Sequence, residues 1–93
     1  MAGLLGEALN NFLFESKKKE VWEKGQLVAG RDPDKYRMDK FGNLIRYSSY
    51  GTLTKLGWEI DHIFPESLGG SDDISNLQPL QWEANRKKGD KLL

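Results

Sequence analysis

The side chains best suited to chemistry lie in the last third of the chain: Asp61, His62, Asn76 and Asn85. His62 is the single histidine, and it follows an aspartate in an otherwise mainly apolar segment, 58–63. A buried carboxylate is costly unless a partner or a metal ion faces it. Neighbouring side chains of a regular strand point to opposite faces, so Asp61 and His62 can share one site only where the strand leaves regular pleating. Pro65 is consistent with such an exit.

The formal net charge of zero conceals an uneven distribution along the chain. Residues 58–73 carry five acidic and no basic side chains, a net charge of −5. Residues 31–57 have a net charge of +3 and residues 74–93 a net charge of +2, whereas residues 1–30 are balanced. An acidic segment without cations favours a metal ion, and basic flanks favour an anion. The overall balance therefore does not exclude a nucleic-acid partner.

Length and composition exclude several classes of protein. A chain of 93 residues predicts a single domain over 1–93 with a modest core. The absence of cysteine excludes a disulfide framework, thiol catalysis and any cysteine-ligated zinc site. No apolar run approaches the roughly 20 residues that a bilayer requires, and residues 1–7 lack the basic start of a secretory signal. We therefore expect no membrane partner and a cytoplasmic location.

Hydrophobic spacing predicts helices in the N-terminal region, 1–30. Apolar residues recur at helical spacing in one stripe, made of Leu4, Leu5, Ala8, Leu9, Phe12 and Leu13. This stripe predicts an amphipathic helix over residues 3–16. Val21, Trp22 and Leu27 predict a second helical stretch that ends near Gly30, either separate from the first helix or continuous with it. Trp22, like Trp58 and Trp82 further along, is expected in the core because so small a domain needs its large aromatic side chains there.

The rest of the chain reads as strands, loops and one short helix. Segments 36–39 and 44–47 flank a turn at 41–43, which predicts a β-hairpin within a hairpin-and-loop region, 31–57. A strand at 58–63, a loop at 65–76, a short strand at 77–79 and a helix at 81–88, closed by Gly89, follow. The predicted fold class is α+β, with a compact ββα unit at 58–90.

Three strings resemble the HNH endonuclease family, whose fold is the ββα-metal (His-Me finger) unit. They are WEIDHIFPESLGGSDD at 58–73, NLQPL at 76–80 and NRKKGD at 85–90. The resemblance joins residue types, order and spacing over about a third of the chain. It implies a metal-dependent endonuclease that hydrolyses DNA phosphodiester bonds.

The resemblance also implies a role for each polar residue named at the outset. Asp61 would be one metal ligand, and Asn85, which stands where the final histidine of the motif often stands, would be the second. His62 would be the general base that takes a proton from the attacking water. Asn76 would tie the loop together and help to hold the histidine. Two oxygen ligands suit Mg²⁺ best, although Mn²⁺ or Ni²⁺ would also fit.

The chain departs from many family members because it lacks their paired Cys-x-x-Cys knuckles. We therefore expect no structural zinc, and another element must brace the fold. The N-terminal helix is the candidate. Its apolar stripe would either cover the ββα unit or pair with a second copy of the chain, which would give a homodimer.

Basic residues around the motif are candidate phosphate contacts. Lys88 matches a basic position of the family's helix, and Arg86 and Lys87 lie beside it. A second group in the hairpin and loop could line a phosphate track without reading sequence: Arg37, Lys40, Arg46 and Lys55. The alternatives are ordinary surface charge and, for the helix, a basic end that complements the helix dipole.

Two other functions stay open from the sequence. One is a non-catalytic nucleic-acid-binding or scaffolding module on the same ββα frame, and the other is a structural metal-binding interaction domain. The joint presence of Asp61, His62 and Asn85 argues against the non-catalytic module, because loss of function would remove the catalytic set first. The choice between DNA and RNA, and between a nick and a double-strand break, is open as well.

Overall fold

The computed structural model describes residues 2–89, 91 and 92, with side chains from Leu5 onward. Asp90 and the side chain of Leu4, both parts of predicted motifs, lie outside the described residues. The elements in chain order are α1 (Ala2–Trp22), β1 (Tyr36–Met38), β2 (Leu44–Arg46), β3 (Trp58–His62), β4 (Leu77–Gln81) and α2 (Trp82–Lys88). Strands β1 and β2 form one antiparallel pair, and β3 and β4 form another. The predicted α+β class is confirmed.

Helix α1 continues without a break to Trp22, so the alternative of one continuous helix is confirmed, whereas the predicted end near Gly30 is wrong. The backbone after Trp22 pairs with the first hairpin instead. The Gln26 N–H donates to the Met38 carbonyl at 2.8 Å, and the Met38 N–H donates back at 2.9 Å. Gly25 lies so close to Arg37 that a Cβ added there would be 3.0 Å from the Arg37 Cβ. Tertiary pairing therefore ends the helix.

The apolar stripe of α1 does not cover the ββα unit. Leu5 is 78% exposed and Phe12 is 66% exposed, and Leu9 and Leu13 are also largely exposed. The second half of the helix packs against the rest of the protein: Val21 and Trp22 are fully buried, and the Phe14 ring centroid lies 5.7 Å from that of Tyr50. The expectation that the stripe covers the ββα unit is therefore wrong. The alternative, that the stripe pairs with a second copy of the chain, stays a prediction.

The core lies where the end of α1 meets the two hairpins. Trp22, Ile45 and Trp58 are fully buried and pack together, which confirms the core positions expected for two tryptophans. The ring centroids of Trp22 and Trp58 are 5.1 Å apart. Trp82 is only partly buried, and its indole N–H donates to the Thr54 carbonyl at 2.8 Å. Burial of these aromatic rings supplies the main hydrophobic contribution to stability.

A buried carboxylate joins the first hairpin to the start of α2. Asp39 is 1% exposed, and it accepts hydrogen bonds from the backbone N–H groups of Phe41, Asn43 and Gln81 at 2.9–3.0 Å. The Asn43 side chain adds a fourth bond at 3.1 Å. Because these donors compensate the cost of burying the charge, Asp39 holds the two elements together through hydrogen bonds. Helix α1 thus braces the fold through its second half, and Asp39 supplies a second brace.

Candidate active site

Asp61 and His62 are the last two residues of β3, and both line one cleft. The cleft has a volume of about 200 Å³, and α2 contributes Asn85 to its wall. The chain leaves regular strand geometry after His62 and turns at Pro65, another lining residue. This exit allows two consecutive side chains to face the same space, as the sequence required.

One oxygen of the Asp61 carboxylate is held from two sides. Gln78 lies opposite Asp61 in the β3–β4 register, and its side-chain amide donates to Asp61 Oδ2 at 2.9 Å. The Lys88 ammonium is 3.3 Å from the same oxygen. Among the described residues, Asp61 Oδ1 accepts no hydrogen bond. The buried carboxylate is therefore fixed through one oxygen, and its other oxygen is available as a ligand.

Lys88 occupies a different place from the one expected of a phosphate contact. Its side chain is 1% exposed, and its ammonium donates to the His62 carbonyl at 3.0 Å besides pairing with Asp61. The ammonium therefore lies inside the protein, beneath the cleft. The structure assigns this lysine to holding the end of β3, in place of the predicted contact with phosphate.

The His62 ring is held by the loop that follows β3. Its Nε2 lies 2.7 Å from Asp72 Oδ1 and 3.9 Å from Glu66 Oε2. The hydrogen bond from His62, with the positive charge of Lys17 on α1, lowers the pKa of Asp72. An ionised carboxylate only accepts hydrogen bonds, so His62 Nε2 carries the proton of this bond. In the neutral ring, Nδ1 then has the free lone pair.

Asn76 closes the loop between β3 and β4. Its Oδ1 accepts from the Phe64 N–H at 2.8 Å, and its Nδ2 donates to the carbonyls of Phe64 and Ser71 at 3.1 and 2.8 Å. A Cβ on Gly70 would be 1.8 Å from the Phe64 carbonyl oxygen, so only glycine allows this close approach. The closed loop sets the position from which Asp72 reaches His62.

Asn85 is hydrogen-bonded to a carboxylate that does not line the cleft. Its Nδ2 donates to Glu59 Oε1 at 3.0 Å, and the Arg86 guanidinium donates to Glu59 Oε2 at 3.0 Å. Partial burial would raise the pKa of Glu59, but the hydrogen bonds from Arg86 and Asn85 and the charge of Arg86 outweigh it and lower that pKa. Asn85 Oδ1 accepts no hydrogen bond among the described residues.

Two sets of groups around the cleft could hold a metal ion. Asp61 Oδ1 and Asn85 Oδ1 form an oxygen set, which suits a hard ion that retains several waters, such as Mg²⁺. The second set consists of His62, Glu66 and Asp72, whose nearest ligand atoms lie within 4.8 Å of one another. A nitrogen and two carboxylates suit borderline ions better than Mg²⁺. A metal ion bound by the second set would take His62 as a ligand.

Comparison with known proteins identifies the domain around this cleft. A sequence model of the family described as "HNH endonuclease" matches residues 51–91. Residues 51–91 belong to the HNH endonuclease family. The matched segment of this HNH domain begins seven residues before the predicted ββα unit and includes the turn whose Gly51 N–H donates to the Trp58 carbonyl at 3.0 Å.

A viral protein shares part of the HNH domain sequence. The chain is 44% identical over 43 residues to "Probable mobile endonuclease C" of Enterobacteria phage T4. The matched region is 46% of this chain and 20% of the phage protein, so the chain spans about a fifth of that relative. No solved structure matches the chain significantly.

The other predicted phosphate contacts lie at different places relative to the HNH cleft. Arg37 donates to the carbonyls of Glu23, Gly25 and Pro33, so its guanidinium is used within the first hairpin region. Arg46 is exposed on β2 and donates to Ser49. Arg86 is paired with Glu59, whereas Lys87 is exposed on α2, two positions after Asn85, and lines a different cavity.

Sequence reasoning missed four residues that hold the side chains of the HNH site: Glu59, Glu66, Asp72 and Gln78. Glu59 precedes Asp61 by two positions, and strand alternation places both on one face of β3, so this partner could have been inferred from spacing. Gln78 could have been inferred from the antiparallel register. Asp72 and its neighbour Asp73 are not distinguishable by residue type, because only the loop geometry selects one of them.

Proposed function

We propose that the chain is a metal-dependent endonuclease that hydrolyses DNA phosphodiester bonds. The observation that carries this proposal is one small cleft lined by Asp61, His62 and Asn85, in which Asp61 Oδ1 and His62 Nδ1 have no hydrogen-bond partner among the described residues. An oxygen ligand and a proton acceptor side by side are the groups that phosphodiester hydrolysis requires. The HNH family match and the name of the phage relative support the same reaction.

His62 is the proposed general base. The Nε2–H group of His62 donates to Asp72, so Nδ1 is the atom that accepts a proton from the attacking water. As that proton leaves, the water oxygen bonds to phosphorus and the bond between phosphorus and the leaving 3′-oxygen breaks. A base of this kind contributes roughly 10²–10⁴-fold to the rate. Asn76 acts on the same step from a distance, because it closes the loop that carries Asp72.

Asp61 and Asn85 are the proposed ligands of one divalent metal ion, Mg²⁺ in the first instance. When bound, such an ion neutralises charge on the phosphate and on the leaving oxygen. Lys88 and Gln78 hold the Asp61 carboxylate at one oxygen and leave the other for the metal ion. A ligand held in advance costs less to order when a metal ion binds.

Lys87 and Arg86 are the proposed contacts to the DNA backbone beside the cleft. Lys87 is exposed on α2, and Arg86 retains donors beyond those that Glu59 takes. Such contacts give affinity without sequence preference. The exposed stripe of α1 supports the proposal of a homodimer, in which two sites could convert nicks into double-strand breaks.

The cellular setting is a further proposal. In the described part of the chain, neither helix has the length and apolar character to cross a bilayer. We propose a cytoplasmic location, which accords with a DNA substrate and a chain that has no cysteine.

Plasmid cleavage tests the proposed reaction. Supercoiled plasmid is incubated with the full chain and Mg²⁺ or Mn²⁺, with EDTA as the metal-free control and the identically purified His62→Ala protein as the control for contaminating nuclease. We expect nicked or linear DNA only with the wild-type protein and a metal ion. Intact plasmid under every divalent ion, or equal cleavage by His62→Ala, would exclude the proposed mechanism.

A further inference from the structure

Strand β3 and helix α2 are connected by two parallel polar links. Glu59 and Asp61 are two residues apart on β3 and face the same side, whereas Asn85 and Lys88 are three apart on α2 and also share a face. Glu59 binds Asn85 at 3.0 Å, and Asp61 pairs with Lys88 at 3.3 Å. The pair with Lys88 fixes Asp61, one of the proposed metal ligands. The bond from Glu59 concerns Asn85, the other proposed ligand.

An asparagine amide can present either of its two ends to the cleft. Rotation by 180° exchanges Oδ1 and Nδ2 with almost no change in shape, but only the oxygen binds a cation. A partner that accepts hydrogen bonds and cannot donate them therefore selects the orientation. An ionised glutamate is such a partner.

Glu59 meets this requirement. Its carboxylate takes Nδ2 of Asn85 at 3.0 Å, so Oδ1 points away from Glu59. Glu59 is not among the residues that line the cleft, whereas Asn85 is, which places Glu59 behind the amide. Arg86 binds both oxygens of Glu59, at 3.0 and 3.4 Å, and so keeps the carboxylate in place.

We propose that Glu59 is a positioning residue that turns the Asn85 amide so that its oxygen faces the metal site. This inference rests on the proposed function, because it requires Asn85 to be a ligand. Glu59 itself touches neither metal ion nor substrate. Its effect is transmitted through a single hydrogen bond, and it concerns metal affinity before it concerns cleavage.

Mn²⁺ binding by calorimetry, without DNA, provides the first test. Glu59→Ala should weaken Mn²⁺ binding by about 10- to 100-fold, the cost typical of losing a partner that orients a metal ligand. Glu59→Gln retains an acceptor for Asn85 Nδ2 and should stay closer to the wild-type affinity. Glu83→Ala is the matched control, since it removes an exposed glutamate from α2 outside the cleft and should bind Mn²⁺ like the wild type.

The same Glu59→Ala substitution in a second variant background distinguishes an effect on the orientation of the Asn85 amide from an effect on the stability of the fold. In the Asn85→Asp variant, residue 85 carries a carboxylate, which presents an oxygen to the cleft in either orientation. The negative charge of this carboxylate also repels Glu59. We therefore expect Glu59→Ala to weaken Mn²⁺ binding in the wild-type background and not in the Asn85→Asp background. Weakening by the same factor in both backgrounds would mean a merely structural role and would overturn the proposal.

The single variant Asn85→Ala separates this inference from the proposed function. If Asn85→Ala weakens Mn²⁺ binding and Glu59→Ala does not, Asn85 is a ligand and only the role of Glu59 is wrong. If Asn85→Ala binds Mn²⁺ like the wild type, the ligand role is wrong and the role of Glu59 falls with it.

Discussion

The two sides of the cleft are held in different ways. On the metal side, Asp61 and Asn85 come from a strand and a helix, and their partners include the buried Lys88 and Gln78. On the base side, His62 is held by the loop residue Asp72, whose side chain is 69% exposed. Partners on regular elements give a fixed geometry, whereas an exposed loop partner is easier to displace.

This difference predicts that metal binding and proton transfer can be damaged separately. Changes on the metal side should affect both stability and metal affinity, because buried charges are involved. Changes on the base side should reduce cleavage while the fold and the metal affinity are retained. Three substitutions test the division and a fourth tests the DNA contact, in order of decreasing effect.

Asp61→Asn should have the largest effect. It replaces the charged metal ligand by a neutral amide and leaves the Lys88 ammonium buried without its anion, so we expect Mn²⁺ binding to weaken strongly and the free energy of unfolding to fall by about 3–5 kcal/mol. Urea unfolding of the metal-free protein measures the second effect. Adding Lys88→Met removes the stranded charge and should restore most of the stability but not the metal affinity. Wild-type stability of the single variant would contradict the buried pair.

Gly70→Ala should reduce cleavage by about 10²-fold, because the added Cβ would clash with the carbonyls of Phe64 and Pro65 and so shift the backbone that directly follows His62, in addition to displacing Asp72. Mn²⁺ affinity should change little, since Asp61 and Asn85 lie on regular elements. Gly6→Ala on α1, where a Cβ meets nothing within 4 Å, is the control and should cleave like the wild type. A loss of metal affinity in Gly70→Ala would show that the two sides are coupled.

Asp72→Ala should lower the cleavage rate about tenfold, because His62 loses the acceptor that fixes its tautomer. Asp73→Ala changes the charge of the same loop equally but removes only the hydrogen bond that Ser71 Oγ donates to Asp73 Oδ2, so it serves as the matched control. The comparison is made from initial rates of plasmid nicking at saturating Mg²⁺. Equal rates for the two variants would assign the effect to loop charge and not to the histidine.

Lys87→Ala should have the smallest effect. Loss of one backbone contact should weaken duplex binding and reduce the slope of log affinity against log salt by about 0.9. Binding is measured in EDTA, so that no cleavage occurs. Lys88→Met should show the opposite pattern, a lower stability with an unchanged slope, because its ammonium is buried. A slope reduced by Lys88→Met and not by Lys87→Ala would reverse these assignments.

Local sequence signals predicted the elements that carry the site. The hairpin strands predicted at 36–39 and 44–47 are observed at Tyr36–Met38 and Leu44–Arg46, and the last helix differs by one residue at its start. Turn residues and hydrophobic spacing are local properties, so they can be read from the chain. The end of α1 could not be predicted in this way, because it depends on the backbone pairing of Gln26 with Met38 of the first hairpin.

The partners of the site residues were less predictable than the residues themselves. Lys88 was expected at the surface with Arg86 and Lys87, yet the approach of β3 to α2 turns it inward to Asp61. Helical position alone does not distinguish these three basic side chains. The role of Asp39 was also missed, because its bond to the Gln81 N–H joins residues 42 positions apart.

Mn²⁺ affinity and plasmid cleavage of the His62→Ala protein, measured side by side with the wild type, test the division of the cleft most directly. If Asp61 and Asn85 hold the metal ion and His62 is the base, the affinity stays within about twofold while cleavage falls by roughly 10²–10⁴-fold. If His62, Glu66 and Asp72 hold the metal ion instead, the affinity falls together with cleavage. That second result would contradict the assignment of ligands and base made from this structure.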